Sequence, residues 1–235
     1  MQVSRKLSIL LNFVINELLP PALRDSRWVM GGLFRLAFGE RADIFLDFRE
    51  RAPFMSEAEY ERCYRETAAC NLIKGSDLNA ACLQRIPQEV VGPRVVEVGC
   101  GRGLLAGRLA ARGLEVTACD IITPEADARP PGVRFVTAPA ERLPFPDQSF
   151  ETAVCTHVLE HVRDIDAALA ELRRVATRRL IIVVPRERPY RFGFNLHLSF
   201  FPYRYSVINV IGKRGSGRVD LRLEDGDWFY VEELA

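Results

Sequence analysis

From Gly92-Pro93 onward, short apolar runs alternate with stretches of helical spacing, and this alternation limits the fold more than any other sequence feature. The apolar runs are residues 94–98, 114–119, 133–137, 152–155 and 180–184, and helical spacing covers 104–112 and 164–176. Each run is apolar at consecutive positions, as expected of strands covered on both faces of a parallel sheet. Two further strands are expected at 206–211 and 228–231, as an antiparallel pair at one sheet edge. The pattern predicts an α/β fold with five parallel strands plus that pair.

The first ninety residues differ, since proline and glycine signals separate predicted helices there and no pair of strands is apparent. The helices are predicted over 4–19, 22–38, 56–71 and 76–85. We therefore expect an N-terminal helical extension over residues 1–90 and a main domain over 91–235. Residues at about 186–205 follow the fifth strand and are expected to form an insertion within the main domain.

Composition excludes several classes of protein. The chain has 235 residues, of which 48% are apolar and 27% are charged, with a formal net charge of +1. A near-neutral chain lacks the clustered positive charge of nucleic-acid-binding domains, so no nucleic-acid partner is expected. The six cysteines are scattered without a C-x-x-C pair. This usage predicts reduced thiols and a cytoplasmic location.

Residues 7–19 form the longest apolar stretch, but polar and charged side chains interrupt it. The stretch is shorter than the roughly 18 residues of a membrane span, so no transmembrane segment is expected. It also lacks a cleavage site of small residues, so secretion is not expected. On a helix, Ser8, Asn12 and Asn16 would line one narrow stripe and leave a wide apolar face. Packing of that face on the chain itself or on a second copy is the main expectation, and contact with a membrane interface is the alternative.

A glycine-rich loop follows the first strand directly. Glu97 precedes Gly99-Cys100-Gly101-Arg102-Gly103, in which glycines occupy alternate positions before a helix. Glycines allow positive φ and close approach of a ligand to main-chain N–H groups at the start of a helix. The dinucleotide pattern G-x-G-x-x-G is absent, because the third glycine arrives one residue early. The loop therefore predicts a smaller polar ligand without a pyrophosphate, with Glu97 facing a cationic or hydroxyl-bearing group.

Asp120 lies at the end of the second strand, 21 residues after Gly99. In nucleotide-binding sheets, a carboxylate at this place accepts hydrogen bonds from ribose hydroxyls. A glycine loop alone could be a tight structural turn, but the loop and the carboxylate together predict a nucleoside ligand.

Three ordered motifs within about residues 93–185 resemble the class I S-adenosylmethionine-dependent methyltransferases. They are Val95-Val96-Glu97-Val98-Gly99-Cys100-Gly101-Arg102-Gly103, then Ala140-Glu141-Arg142-Leu143-Pro144-Phe145-Pro146-Asp147-Gln148-Ser149-Phe150-Glu151, and Val158-Leu159-Glu160-His161. The resemblance implies a Rossmann-like sheet, S-adenosylmethionine as the cofactor, and an enzyme of the EC 2.1.1 class.

The resemblance also implies roles for individual residues. The glycine loop with Cys100 would border the methionine part of the cofactor, Asp120 would hold the ribose, and Ile121 would pack on the adenine. Ala140 would meet the adenine ring through its backbone N–H beside Glu141, and Thr156 would lie near the amino acid end. The family often has an acidic residue where this chain has Pro139, which implies weaker adenine recognition.

The stretch His157-Val158-Leu159-Glu160-His161 also matches the inverted zinc-protease motif H-x-x-E-H. That motif needs a helix through both histidines, whereas His157 directly follows a predicted strand, so zinc proteolysis is not favoured. Ubiquinone-pathway O-methyltransferases resemble this region with E-x-x-E-H, which holds a divalent ion, but His157 replaces the first glutamate. We expect no metal ion and interpret His157 as the general base, since an unperturbed histidine accepts protons near neutral pH, with His197 as second candidate.

Aromatic and basic side chains concentrate after the fifth strand, at the place where a substrate lid would attach. Arg188, Arg191, Phe194 and Phe200 are the predicted substrate-binding residues of this lid, which the N-terminal helices would complete as a cap. The alternative is that these rings pack against the N-terminal helices with the arginines in solvent. The sequence thus predicts methyl transfer to a small-molecule acceptor, foremost an oxygen on a natural product, lipid or sugar. A noncatalytic nucleoside-binding or partner-regulating domain with the same fold is the alternative function.

Overall fold

The computed structural model describes residues 19–68, 78–193, 195–214 and 217–234. The chain divides into two compact units, Met1–Ser76 with Arg188–Leu198, and Asp77–Glu187 with Ser199–Ala235. We call the described residues of the first the helical unit and those of the second the sheet unit. The predicted boundary between residues 90 and 91 stays a prediction.

The helical unit contains four α-helices among its described residues: α1 (Pro21–Arg24), α2 (Arg27–Phe38), α3 (Ala42–Arg51) and α4 (Glu57–Ala68). Short 3₁₀ turns, Gly39–Arg41 and Ala52–Phe54, connect α2, α3 and α4. The Ser26 side chain caps α2 by accepting a hydrogen bond from the Val29 N–H group at 3.5 Å. Buried aromatic and aliphatic side chains of α2 and α3 form a core with Phe192 and Leu196 of the segment Arg188–Leu198, which we call the later segment.

Two differences from the sequence prediction lie in this unit. The helix predicted over 22–38 is two helices, because the chain turns at Asp25 and restarts with the Ser26 cap. Helix α3 was not predicted, because its charged residues obscure the apolar pattern to which the buried Phe45 and Phe48 belong. The helix predicted over 56–71 is confirmed as α4 through Ala68, and most of the helix predicted over 4–19 lies outside the described residues.

The sheet unit contains a seven-stranded sheet with the order β3-β2-β1-β4-β5-β7-β6. Strands β1 to β5 are parallel, and β7 runs antiparallel to both β5 and β6. The strands are β1 (Arg94–Val98), β2 (Glu115–Asp120), β3 (Val133–Thr137), β4 (Phe150–Thr156), β5 (Ala176–Pro185), β6 (Val219–Glu224) and β7 (Asp227–Glu233). The predicted α/β class, with five parallel strands, an antiparallel edge pair and N-terminal helices, is confirmed.

Helices cover both faces of the sheet. They are α5 (Ala80–Glu89), α6 (Leu104–Ala110), α7 (Ile165–Val175) and α8 (Arg204–Val210), with 3₁₀ turns at Ala126–Ala128 and Gly212–Arg214. Alternate strand residues enter two separate cores: Val95 and Val154 pack with α5 and α6, whereas Val96 and Ala153 pack with α7 and α8. The helix predicted over 76–85 begins later than expected, at Ala80, and ends at Glu89.

The strand predicted at 206–211 is wrong, because these residues lie in and just after helix α8. Ser206 accepts a hydrogen bond from the Tyr203 N–H group at 3.2 Å, which is an N-terminal capping contact. The buried side chains Val207 and Ile211 are four residues apart, which is helical spacing. The edge pair is therefore formed by β6 and β7, and only the strand predicted at 228–231 belongs to it.

The first predicted strands have correct positions, but β3 is not covered on both faces. It is an edge strand whose Arg134 and Thr137 are exposed. The proline-rich link between β2 and β3 contains the 3₁₀ turn Ala126–Ala128 and no α-helix. None of the helices in the described residues is long and apolar enough to cross a membrane.

Candidate functional site

The glycine loop connects β1 to α6 at the carboxyl edge of the sheet. Gly99, Gly101 and Gly103 have φ values of +78°, +50° and +75°, so the loop uses the conformational freedom of glycine at each position. A Cβ atom at Gly99 would lie 1.8 Å from the Val158 side chain, whereas a Cβ at Gly101 would meet no atom within 4 Å. The loop is therefore packed against Val158 on one side and open at Gly101.

Glu97 lies near the end of β1, just before this loop, and its carboxyl group is buried. Its side chain is 3% exposed, and its Oε2 atom has no hydrogen-bond partner among the described residues. Burial raises the pKa of Glu97 to about 8, the charge of Asp120 adds to the increase, and a hydrogen bond from the Ala106 backbone opposes it. A buried acid with a free oxygen is suited to receive a cationic or hydrogen-bond-donating ligand.

Asp120 ends β2 beside the open glycine. Its Oδ2 accepts a hydrogen bond from the Gly101 N–H group at 2.7 Å, and its Oδ1 accepts one from the Ile122 N–H group at 3.0 Å. Burial raises the pKa of Asp120, and these backbone hydrogen bonds oppose the increase. The backbone fixes the carboxylate, and each oxygen has a second lone pair to accept from a diol. Ile121, the predicted adenine contact, is the next residue and is half-buried.

The thiol of Cys100, within the loop, is buried. Burial raises its pKa, with further increases from the Asp120 and Glu97 charges, so this cysteine is not a reactive thiolate at neutral pH. No disulfide joins the cysteines among the described residues, and the predicted reduced state stays a prediction.

The second motif follows β3. Ala140 is buried, and the Glu141 carboxylate accepts a hydrogen bond from the Arg163 N–H group at 3.3 Å. Glu141 therefore connects this motif to the loop before α7. Leu143 of the same motif is buried in the core of the sheet unit. The predicted roles of Ala140 and Glu141 in cofactor binding stay predictions.

Thr156 and His157 lie where β4 ends. Thr156 is buried, and His157 has φ of +54°, a rare conformation for a residue with a Cβ atom. The His157 backbone N–H donates to the Val183 carbonyl at 2.9 Å. Residues 157–164 form turns and loops before α7 begins at Ile165, so no helix passes through His157 and His161. The inverted zinc-protease interpretation is thereby excluded.

Both ring nitrogens of His157 face carboxylates. Nδ1 lies 3.4 Å from Glu160 Oε1, and Nε2 lies 3.3 Å from Asp227 Oδ2. Burial alone would lower the pKa of His157, but its hydrogen bonds and charge interactions with Asp227 and Glu160 outweigh burial and raise the pKa to about 10. With this pKa, both ring nitrogens carry a proton at neutral pH, and neither nitrogen is free to face a ligand. Carboxylates thus face both ring nitrogens, and the predicted role of His157 as general base stays a prediction.

The remaining predicted residues are divided between the units. Arg188, Arg191 and His197 belong to the helical unit, Phe200 is half-buried in the sheet unit, and Phe194 lies outside the described residues. The Arg191 guanidinium pairs with Glu50 at 3.2 Å. His197 is 7% exposed, and its carbonyl accepts from Arg49 Nε at 2.7 Å. The predicted roles of these residues toward an acceptor or as a base stay predictions.

The sequence reading missed Asn79, Asp227 and Arg49. Asp227 begins β7, and Asn79 caps α5, yet both lie beside His157, which is remote in the sequence. Arg49 donates to the carbonyls of Arg191, Asn195 and His197. No local motif marks these residues, but a polar residue directly before a helix, as Asn79 is, was an available signal.

The sheet order, the open glycine loop and the strand-end carboxylates define a class: an α/β domain with a largely parallel sheet, of the kind that binds its ligand at the carboxyl edge. Residues 96–183 match the family described as "Methyltransferase domain". This segment is similar to the class I S-adenosylmethionine-dependent methyltransferases, a family whose cofactor is S-adenosylmethionine.

Curated relatives agree with this family. The chain is 32% identical over 126 residues to a demethylmenaquinone methyltransferase from Beutenbergia cavernae, which covers 49% of this chain and 52% of that protein. It is 30% identical over 115 residues to a ubiquinone biosynthesis O-methyltransferase from Rickettsia conorii, covering 46% and 39%. The chain thus spans about half the length, or less, of these relatives.

A solved structure from Thermotoga maritima, described as an S-adenosylmethionine-dependent methyltransferase and possible histamine N-methyltransferase, has a similar fold. The TM-score is 0.54 at 19% identity, and the alignment covers 80% of this chain and 98% of the other. At this identity the likeness concerns the fold alone.

Proposed function

We propose that this chain binds S-adenosylmethionine at the carboxyl edge of the sheet and transfers its methyl group to a small-molecule acceptor. The observation that carries the proposal is Glu97, a buried carboxylate with an unpartnered oxygen under a loop that is open at Gly101. A cofactor with an ammonium group would supply the missing partner of Glu97. A ribose diol would donate to Asp120, whose carboxylate the backbone already orients.

When bound, S-adenosylmethionine supplies a methyl group on a positively charged sulfur. The protein's own contribution is chiefly to hold the two reactants in line, which can lower the barrier by several kcal/mol. Glu97 and Asp120 would fix the cofactor, and Gly101 would allow its approach to the backbone. Thr156 would lie near the amino acid end, as the family resemblance implies.

His157 takes no proton in this proposal, because carboxylates face both of its ring nitrogens. The acceptor therefore either is already ionised, reacts through an activated carbon or an amine, or gives its proton to another base. His197 stays the predicted candidate for that base. Support for a small-molecule acceptor comes from the relatives, whose names refer to menaquinone and ubiquinone synthesis. Demethylated quinones are therefore the first acceptors to test, followed by hydroxylated lipids, sugars and natural products.

Two glycine variants test the cofactor site. Gly101→Ala and Gly113→Ala each place a methyl group in open space at a positive φ, so both should cost similar stability. Only Gly101 lies in the proposed site, since Gly113 lies in the turn after α6. We expect calorimetric titration to show about tenfold weaker binding of S-adenosylmethionine, or of its demethylated product, to Gly101→Ala alone.

Asp120→Asn should weaken binding as well, while radiolabelled methyl transfer to the acceptor panel reports the reaction. If folded wild-type protein binds neither form of the cofactor, the proposal is wrong. Cofactor binding with no transfer to any acceptor would instead favour the noncatalytic nucleoside-binding function.

A further inference from the structure

One carboxylate in the sheet unit joins three segments that are far apart in the sequence. Asp227 Oδ2 accepts a hydrogen bond from the Asn79 side-chain amide at 2.8 Å and lies 3.3 Å from His157 Nε2. Asn79 also donates to the Glu224 carbonyl at 2.8 Å, and its Oδ1 caps α5 by accepting from the Cys82 N–H at 2.8 Å. A single oxygen thus connects the start of α5, the start of β7 and the loop after β4.

These groups are withdrawn from solvent. Asn79 is fully buried, Asp227 is 6% exposed, and Glu160, the second carboxylate beside His157, is fully buried. Buried polar groups that are matched in this way hold a particular geometry, because breaking one contact leaves the others without a partner. His157 has a positive φ, a conformation that persists only when surrounding contacts determine it.

The residue after His157 brings this geometry to the proposed cofactor site. Val158 packs against Gly99 so closely that a Cβ atom there would lie 1.8 Å from Val158 Cγ2. The position of Val158 therefore determines where the Gly99 backbone can lie. Any rotation of the loop at His157 would move Val158 either into the glycine loop or away from it.

We propose that Asp227 and Asn79 are positioning residues for the cofactor site, acting through the His157 side chain to hold Val158 against Gly99. The inference rests on the proposed function, since it assigns the glycine loop to the cofactor. It adds two residues outside the family motifs: Asn79, the N-cap of α5, and Asp227, the first residue of β7. Neither residue touches the cofactor in this proposal.

The first test is Asp227→Asn, which keeps the side-chain shape and an oxygen for Asn79 but removes the charge beside His157. We expect the affinity for S-adenosylmethionine to fall about tenfold in calorimetric titration, with the folded state retained. Asp220→Asn is the matched control, because Asp220 lies in the same β6–β7 hairpin and pairs with Arg85 and Arg222 instead. Its affinity should equal that of wild type.

A double-mutant cycle tests whether Asp227 acts through His157. In a His157→Gln background, Asp227→Asn should cause no further loss of affinity, because the intermediary is already gone. Equal and additive losses in both backgrounds would overturn the proposal. So would an unchanged affinity in folded Asp227→Asn protein.

Nitrogen-15 NMR of the histidine rings gives a readout that needs no cofactor. In wild type at pH 8, the His157 ring, assigned through His157→Gln, should show two protonated nitrogens, and in Asp227→Asn it should show one. A neutral His157 ring in wild type would overturn the proposed action of Asp227 on His157 even if the cofactor binds. A doubly protonated ring in protein that binds no cofactor would refute the proposed function and leave Asp227 and Asn79 without the role of positioning residues.

Asn79→Ser provides a milder variant if Asp227→Asn does not fold. Serine keeps an oxygen to cap α5 but removes the amide that donates to Asp227. We expect a smaller loss of cofactor affinity in the same direction. Wild-type affinity in this variant, with no shift of the His157 ring signals, would then decide against the proposal.

Discussion

The sheet unit orders Glu97 and Asp120 with short-range backbone geometry, whereas the helical unit holds its later segment, Arg188–Leu198, with side-chain hydrogen bonds, chiefly from Arg49, and with the buried Phe192 and Leu196. In the sheet unit, Glu97 and Asp120 sit where adjacent parallel strands end, so the sheet itself brings them together. In the helical unit, the segment Arg188–Leu198 contains no α-helix or strand in its described residues. Its carbonyl groups accept instead from the Arg49 guanidinium.

The two units therefore use different contacts to hold a segment in place. In the sheet unit, the strand ends fix the positions of the two carboxylates, and their burial raises the pKa of Glu97 and Asp120. In the later segment, one substitution at Arg49 removes the hydrogen bonds to three carbonyl groups, while the buried Phe192 and Leu196 stay in place. The three predictions below test this contrast.

The largest effect is expected at a buried ion pair of the sheet unit. Glu232 is fully buried, accepts from Arg173 Nη2 at 2.7 Å, and also accepts from the Tyr230 hydroxyl at 2.8 Å. Glu232→Gln leaves the Arg173 charge without its partner, which should lower the free energy of unfolding by about 3–5 kcal/mol. Chemical denaturation followed by circular dichroism measures this.

Glu233→Gln is the adjacent control, since Glu233 is half-exposed and pairs with Arg179 at 3.2 Å. An exposed pair contributes about 0–1 kcal/mol, so this variant should be close to wild type. Similar losses in both variants would mean that burial of the pair does not set its contribution.

A pH dependence should mark the site end of the same sheet. The pKa of Glu97 is raised from 4.5 to about 8 in the folded protein, so between these values the folded state keeps a proton that the unfolded state releases. Its contribution to stability is complete below pH 4.5 and is lost as the pH rises through 8. At about 1.36 kcal/mol per pH unit, Glu97 alone should account for a loss of about 3 kcal/mol in the free energy of unfolding of cofactor-free protein between pH 5 and 7.5.

Thermal melts of wild type and Glu97→Gln across this range measure the slope that Glu97 contributes. The variant should be flatter than wild type, whereas Glu115→Gln, an exposed carboxyl on β2, should follow wild type. Parallel curves for wild type and Glu97→Gln would show that Glu97 is ionised in the cofactor-free protein.

The contrast between the units also explains what could be predicted from the sequence. The strands, the glycine loop and Asp120 follow from local patterns, because a parallel strand is a short apolar run and its end is a fixed place in the sheet. The surroundings of His157 could not be predicted, because Asp227 is 70 residues away and approaches only through the antiparallel pairing of β7 with β5. The strand predicted at 206–211 is wrong for a related reason. Val207 and Ile211 are compatible with an apolar strand in the sequence, and the capping contact of Ser206 that marks a helix appears only in the structure.

The smallest effect is expected at Arg49, and it tests directly whether the two units differ in how they are ordered. Arg49 donates to the Arg191, Asn195 and His197 carbonyls at 3.1, 3.3 and 2.7 Å, and its guanidinium carbon lies 4.7 Å from the centre of the Tyr190 ring. Arg49→Met keeps an apolar stem but removes every donor. The local opening energy of residues 195–198 should fall by about 1.4 kcal/mol, which is about tenfold faster amide exchange.

Hydrogen exchange followed by mass spectrometry measures this, with peptides of β1 and β4 as the internal reference because strands of the sheet unit should keep wild-type protection. Arg51→Met is the matched control, because Arg51 is exposed on the same helix α3. Unchanged protection of residues 195–198 in Arg49→Met would show that the core formed by Phe192 and Leu196 suffices to hold the segment. Burial of these two side chains would then be enough to order the segment, and the Arg49 hydrogen bonds would not set the helical unit apart from the sheet unit.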